Sequence, residues 1–427
     1  MRKKLPVLFV LILSPLILTA CTVGDLPVIG KFLEKKIPGG PVTLTWWGLW
    51  EKPEAVDVLI KKYQEKHPNV TIKYDDRSVL SLIDYKERVF RRADQDSGPD
   101  ILTVHNSWVQ NPILRTKLAP MHSGLMTTEN FKKAFYPVVA DSAVDSGKIY
   151  AIPLEYDGLV LVYNKKHFAD IGQTTAPTAW EEFRRLALEL TVRNDKEITR
   201  AGAAMGTADN NEHFSDILGL MWSQAGVKIP SEIDNKNAQD ALAFYTNFIE
   251  EDGVWRSDFP EATAAFVKGD VSMIFIPTWK ILDILKAAPP DFEFGVAPVP
   301  QVIPETPVTW GSFWMQAVAT KSARPDAAWD FLNFIAQEQQ QLALFNEDSK
   351  TRPFGMPYSL MSLGNELSVN PYLGALVKTA KFAKSAEIAG RSGNSKQERI
   401  LKDAVNAVLN GTSPEDALKT AKDAISK

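Results

Sequence analysis

"VTLTWWGLWEKPEAVDVLIKKYQEKHPNVTIKY", residues 42–74, changes its hydrophobic period twice. Val42, Leu44 and Trp46 alternate with Thr43, Thr45 and Trp47, the period of two that a half-buried strand requires. Then Ala55, Val56, Leu59, Ile60 and Tyr63 recur at helical spacing until His67-Pro68 stops them, and "VTIKY" at 70–74 reads as a second strand. Strand, helix, strand predicts a parallel βαβ unit and an α/β fold.

The alternation continues outward. A helix is expected from about Leu82 to Asp96, then a short buried strand in "PDILTV", with further strands at 150–154, 159–164, 271–276, 292–299 and 315–320. Thr178 with Glu181 reads as a capping box for the helix in "AWEEFRRLALEL", and Ser413, Pro414 and Asp416 open the last helix. No internal repeat and no low-complexity tract is evident.

The beginning of the chain is an export signal. Arg2-Lys3-Lys4 precede an apolar run from Leu5 to Ala20, too short for a comfortable membrane span and followed by Cys21. "LTAC" resembles a bacterial lipobox, which implies cleavage before Cys21 and a diacylglycerol on its thiol. This is the only cysteine in the 427 residues, so no intramolecular disulfide competes for it. Residues 21–41, rich in Gly and Pro without period, read as a lipid-anchored tether after the signal at 1–20.

Roughly 385 residues remain, room for two domains. The formal charge is −4, and −7 once Arg2, Lys3 and Lys4 are removed. A mildly acidic chain without a basic block argues against a nucleic-acid partner. The five histidines, at 67, 105, 122, 167 and 213, include no pair at local zinc spacing, so no metal and no cofactor is expected. Serine-hydrolase elbows, HExxH and CxxC are absent from the sequence.

Seven stretches carry a resemblance: "GPDILTV" (98–104), "LAPM" (118–121), "GKIYAIPLEYDGLVLVYNKKHFADIG" (147–172), "APTAWEEF" (176–183), "AAFVKGDVSMIFIPTW" (264–279), "VAPVP" (296–300) and "GSFWMQAVATKSARPDAAWDFLNFIA" (311–336). In order and spacing they resemble bacterial extracellular solute-binding proteins of the carbohydrate-binding group, the family of maltose-binding protein. The resemblance implies two lobes, each a sheet flanked by helices, with ligand between them. It places 42–154 and 297–337 in lobe one and 155–296 and 338–427 in lobe two, with crossings near 153–157, 294–298 and 337. It also implies a monomer that hands its ligand to the permease subunits of an ABC importer.

A sugar needs flat aromatic faces for its C–H side and planar polar groups for its hydroxyls. The chain has eleven tryptophans to choose from. Parity puts Trp46 in the core, whereas Trp47 and Trp50 lie at or past the strand end, with Glu51 next to them. The loop after 101–104 offers Asn106 and Trp108, and "PLEYDGL" puts Glu155 and Asp157 on one side of an extended segment. The resemblance points to Trp279 as an aromatic platform, to Gly311 with Trp314 as a ligand loop, to Arg352, and more loosely to Asn210, Asn211 and Phe214. Trp180 and Trp329 read as packing residues.

Other readings keep the fold and change the ligand to a peptide, polyamine, betaine or glycerol phosphate. A carbohydrate-active enzyme would use Glu155 and Asp157 as its carboxylate pair, a chemistry decided by their spacing in space.

Overall fold

The computed structural model describes residues 40–390 and 392–426. The expected signal peptide, Cys21 and the tether up to residue 39 lie outside them. The βαβ unit forms as its periods require: Val42–Gly48 and Val70–Asp76 pair in parallel from Val42 opposite Val70 to Gly48 opposite Asp76. Between them the helix Pro53–Lys66 buries Ala55, Val56, Leu59, Ile60 and Tyr63, of which Val56, Leu59 and Ile60 are each worth about 1.5–3 kcal/mol if fully removed from water. Pro53 starts this helix, where its missing N–H costs nothing.

Two five-stranded sheets result, with helices packed on them. The first runs Val70–Asp76, Val42–Gly48, Ile101–His105, Trp314–Ala319, Leu118–Ala119, with the last two strands joining antiparallel. The second runs Phe294–Ala297, Leu159–Asn164, Val271–Pro277, Glu197–Ala203, Val192–Asn194. This is a two-lobed α/β molecule, and the chain leaves the first sheet before residue 159 and returns to it at Trp314.

Four expectations change. Residues 150–154 form no strand: Ile152 alone bridges to Gln316, and Pro153 lacks the N–H a ladder needs. The hairpin Val192–Asn194 with Glu197–Ala203 was not expected, because its first strand is exposed throughout and has no apolar alternation. The carboxylate that bonds the Thr178 amide is Glu182, at 2.9 Å, in place of Glu181, and Ala179 is the cap residue. Lastly, Glu338–Asp348 packs on Pro53–Lys66 and Pro325–Ile335, on the first-sheet side. Ser395–Leu409 and Pro414–Ile425 pack instead on Lys236–Glu250, beside the second sheet. The third crossing therefore comes after residue 348, later than the expected 337. Ser413 does cap its helix, accepting from the Asp416 amide at 3.1 Å.

Candidate functional site

Past Gly48 the chain turns sharply. Trp50 adopts the left-handed region (φ 61°), a strained backbone for a tryptophan, and its amide donates to Ser78 Oγ at 2.5 Å. Its ring is 48 % exposed and meets the Trp314 ring edge-on, centroids 4.8 Å apart. Trp46 is buried and its Nε1 donates to Gln316 Oε1 at 2.9 Å, as a core residue should, while its ring also floors the adjoining cavity. Trp47 faces the other way, half-buried under the Arg77 guanidinium at 4.5 Å, and lines neither of the cavities described next.

Two small cavities meet at Glu155 and Trp314, which line both. The first, about 30 Å³, lies among Trp46, Trp50, Glu51, Tyr74 and Glu155. The second, about 40 Å³, lies among His105, Asp157, His213, Asp216, Trp279 and Trp314. Each has room for a water or two, so a larger ligand requires the walls to part.

The walls are acidic. Arg352 bonds Asp348 and reaches Glu51 at 3.7 Å. Burial, with Glu155 and Asp348 close by, pushes the Glu51 carboxyl well above its ordinary range. Burial also lifts Glu155 to about 8, opposed by Arg352 and reinforced by Asp348 and Asp157. Burial thus disfavours the ionised form of both acids relative to the solvated side chains.

Asp157 has a different task. Its Oδ1 accepts from the amides of Gly158 (2.6 Å) and Thr278 (2.9 Å) and from Thr278 Oγ1 (2.8 Å), and its Oδ2 from the Trp279 amide (3.0 Å). Burial raises it to about 6 in spite of these bonds. Its lone pairs are spent on holding the turn Thr278–Lys280, so it aims Trp279 rather than meeting a ligand itself. Trp279, 37 % exposed, stands over the second cavity, and Pro277 ends the strand that leads to it.

Asn106 and Trp108 are also supports. Asn106 is buried, giving Nδ2 to Ser385 Oγ (2.7 Å) and taking the Phe313 amide (3.1 Å). Trp108 is 1 % exposed, donates to the Ser392 carbonyl at 2.6 Å and props Trp314 from behind, centroids 5.1 Å apart. Gly311 bridges Gly158, whose missing side chain matters: a Cβ there would sit 2.2 Å from the Trp310 carbonyl oxygen. Trp180 and Trp329 are buried.

The loop at 210–214 contributes through a residue that sequence reasoning passed over. Asn210 and Asn211 bond backbone carbonyls, and His213 between them and Phe214 lines the second cavity. Its Nδ1 lies 3.1 Å from Asp216 Oδ2, and its buried Nε2 has no partner. Asp216 Oδ1 in turn takes Trp310 Nε1 (2.7 Å) and the Gly390 amide (2.8 Å). The available signal was a histidine at a helix start with an aspartate three residues on.

Tryptophan faces and convergent polar groups from both sheets thus enclose one seam. Over residues 48–342 the sequence matches the family described as Bacterial extracellular solute-binding protein. The chain belongs to that family. Among relatives of this binding protein, the maltotriose-binding protein of Pyrococcus abyssi is 21% identical over 301 residues, 67% of this chain and 61% of its own length. The multiple sugar-binding protein of Streptococcus mutans is 21% identical over 312 residues, 70% of each chain. The crystal structure of a cyclo/maltodextrin-binding protein complexed with maltotetraose superposes with a TM-score of 0.73 at 18% identity, covering 91% of this chain and 97% of that one. Among the described residues no helix is long and apolar enough to cross a membrane.

Proposed function

We propose that the seam between the lobes binds a sugar or oligosaccharide and that the chain delivers it to the permease of an ABC importer. The supporting observation is that Trp50 and Glu51 line one cavity, Trp279 and His213 the adjoining one, and Trp314 and Glu155 both. Aromatic faces cover the C–H side of a pyranose, and carboxyl and imidazole groups bond its hydroxyls. The names of relatives that bind maltotriose or multiple sugars favour the same ligand class.

Binding in this reading needs an open form, since the cavities are smaller than a sugar ring, and closure follows from contacts that ligand makes with both lobes at once. Lobe one comprises 42–154 and 314–348, the second lobe the strands from 159 to 297 with the C-terminal helices. Cys21 carries the lipid that holds the exported protein at the membrane surface, and the protein works as a monomer without catalysis. Isothermal titration of the purified chain against mono- and oligosaccharides tests the ligand class, and absence of binding to any of them would overturn it. Labelled fatty acid should enter the wild-type chain and not Cys21→Ser when each is expressed in a bacterial host; equal labelling would remove the anchor.

A further inference from the structure

The residues lining the two cavities include Glu51, Glu155, Asp157 and Asp216 and no lysine or arginine. The nearest cations are committed elsewhere. Arg352 holds Asp348 and Glu51, and Lys280, 5.6 Å from the Trp279 ring centre, is paired at 3.2 Å with both Glu212 and Asp283. Asp157 already takes four protein donors, and Asp216 takes Trp310 Nε1 and the Gly390 amide with His213 beside its other oxygen.

Two wall groups remain open. Among the described residues the Glu155 carboxyl takes no hydrogen bond or ion pair, and it stands where the two cavities join. His213 is the independent observation. Its ring is 1 % exposed, and Nε2 is unpartnered on the wall of the second cavity. A carboxylate occupies the Nδ1 side, so Nε2 is the ring atom left for a ligand hydroxyl. Trp50, Trp279 and Trp314 add faces that attract cations as well as sugar rings.

Resting on the carbohydrate reading above, we propose that the preferred ligand is a glycan bearing a free primary amine, an amino-sugar oligomer whose ammonium pairs with Glu155. The ammonium supplies the positive charge that this wall lacks, while neighbouring hydroxyls reach His213 and the rings stack on tryptophan. Glu155 is faced by Glu51, Asp157, Asp348 and Arg352, and burial holds its proton up to about 8. An arriving ammonium ionises it, so binding near pH 7 releases a proton. A neutral sugar requires no such release.

The test is calorimetric titration at pH 7 in phosphate and in Tris, whose ionisation heats differ. The ligands are cellobiose, N,N′-diacetylchitobiose, the fully deacetylated glucosamine dimer and spermidine. The proposal expects the glucosamine dimer to bind at least about tenfold more tightly than the two uncharged disaccharides, with net proton release. Glu155→Gln should reduce that preference to within about threefold, and its melting curve checks folding. The wild-type ranking is decisive by itself if the variant does not fold. Equal or tighter binding of cellobiose or diacetylchitobiose overturns the amino-sugar inference and leaves the carbohydrate reading standing. Binding of spermidine with no glycan bound overturns both.

Discussion

Trp279 stands 37 % exposed on a turn whose amides are fixed by Asp157, and Trp108 is sealed beneath Trp314, so the same residue type has two different jobs. Trp279→Ala should weaken glycan binding by about 1–3 kcal/mol, the scale of a lost aromatic face, with little change in melting temperature. Trp108→Ala should cost about 3–5 kcal/mol of stability through the cavity it leaves, read by denaturant unfolding. An affinity untouched by the first substitution would remove Trp279 from the site.

Buried titratable groups make a second residue-level prediction. Burial pulls His105 down from 6.5 to about 3 and His167 from 6.5 to about 4. Both stay neutral in the fold while the unfolded chain takes up protons below 6.5, so stability falls as pH drops from there toward 4. Glu155 has the opposite sign. Its folded value of about 8 exceeds 4.5, so its contribution is complete below 4.5 and is lost as pH rises through 8. Glu155→Gln should therefore gain in melting temperature relative to wild type between pH 5 and pH 9, and parallel curves would contradict this.

At the scale of elements, the turn Thr278–Lys280 depends on one carboxylate from a distant segment. Asp157→Asn replaces an acceptor by a donor against an N–H and should destabilise the fold by about 1–3 kcal/mol, with faster amide exchange at Trp279 as the readout. Unchanged exchange there would mean that Asp157 does not aim the platform. Elements with a strong period were legible from sequence: Val42–Gly48, Pro53–Lys66 and Leu159–Asn164 follow their apolar spacing. The exposed hairpin at 192–203 was not, because neither face of its first strand is buried and the pattern has nothing to record. The helix Glu338–Asp348, expected in lobe two, packs beside the first sheet, because its partners are decided by tertiary packing that its sequence does not record. Site residues divided likewise. Position relative to the strand end separated Trp46 from Trp50, but only coordinates reveal that Asp157, Asn106 and Trp108 spend polar groups on the protein and that His213 keeps Nε2 unpartnered.

Across the whole molecule, the loop before Ser395–Leu409 ties the two sides together. Asn394 bonds Lys86 and Ser107 (2.9 Å) and the Ser392 carbonyl takes Trp108 Nε1, while Gly390 bonds Asp216 on the other side. In the proposed closure these contacts hold the lobes together. Asn394→Ala should therefore speed ligand release, weakening affinity by about 1–2 kcal/mol, and an unaltered release rate in stopped-flow fluorescence would exclude the loop from closure. The central claim, a carbohydrate held between tryptophan faces from both lobes, meets its most direct test in calorimetric titration of the wild-type chain and Trp279→Ala against a panel of oligosaccharides, betaine and peptides. The account predicts saturable, one-to-one binding of at least one glycan, weakened in the variant; binding of betaine or a peptide with no glycan bound would contradict it.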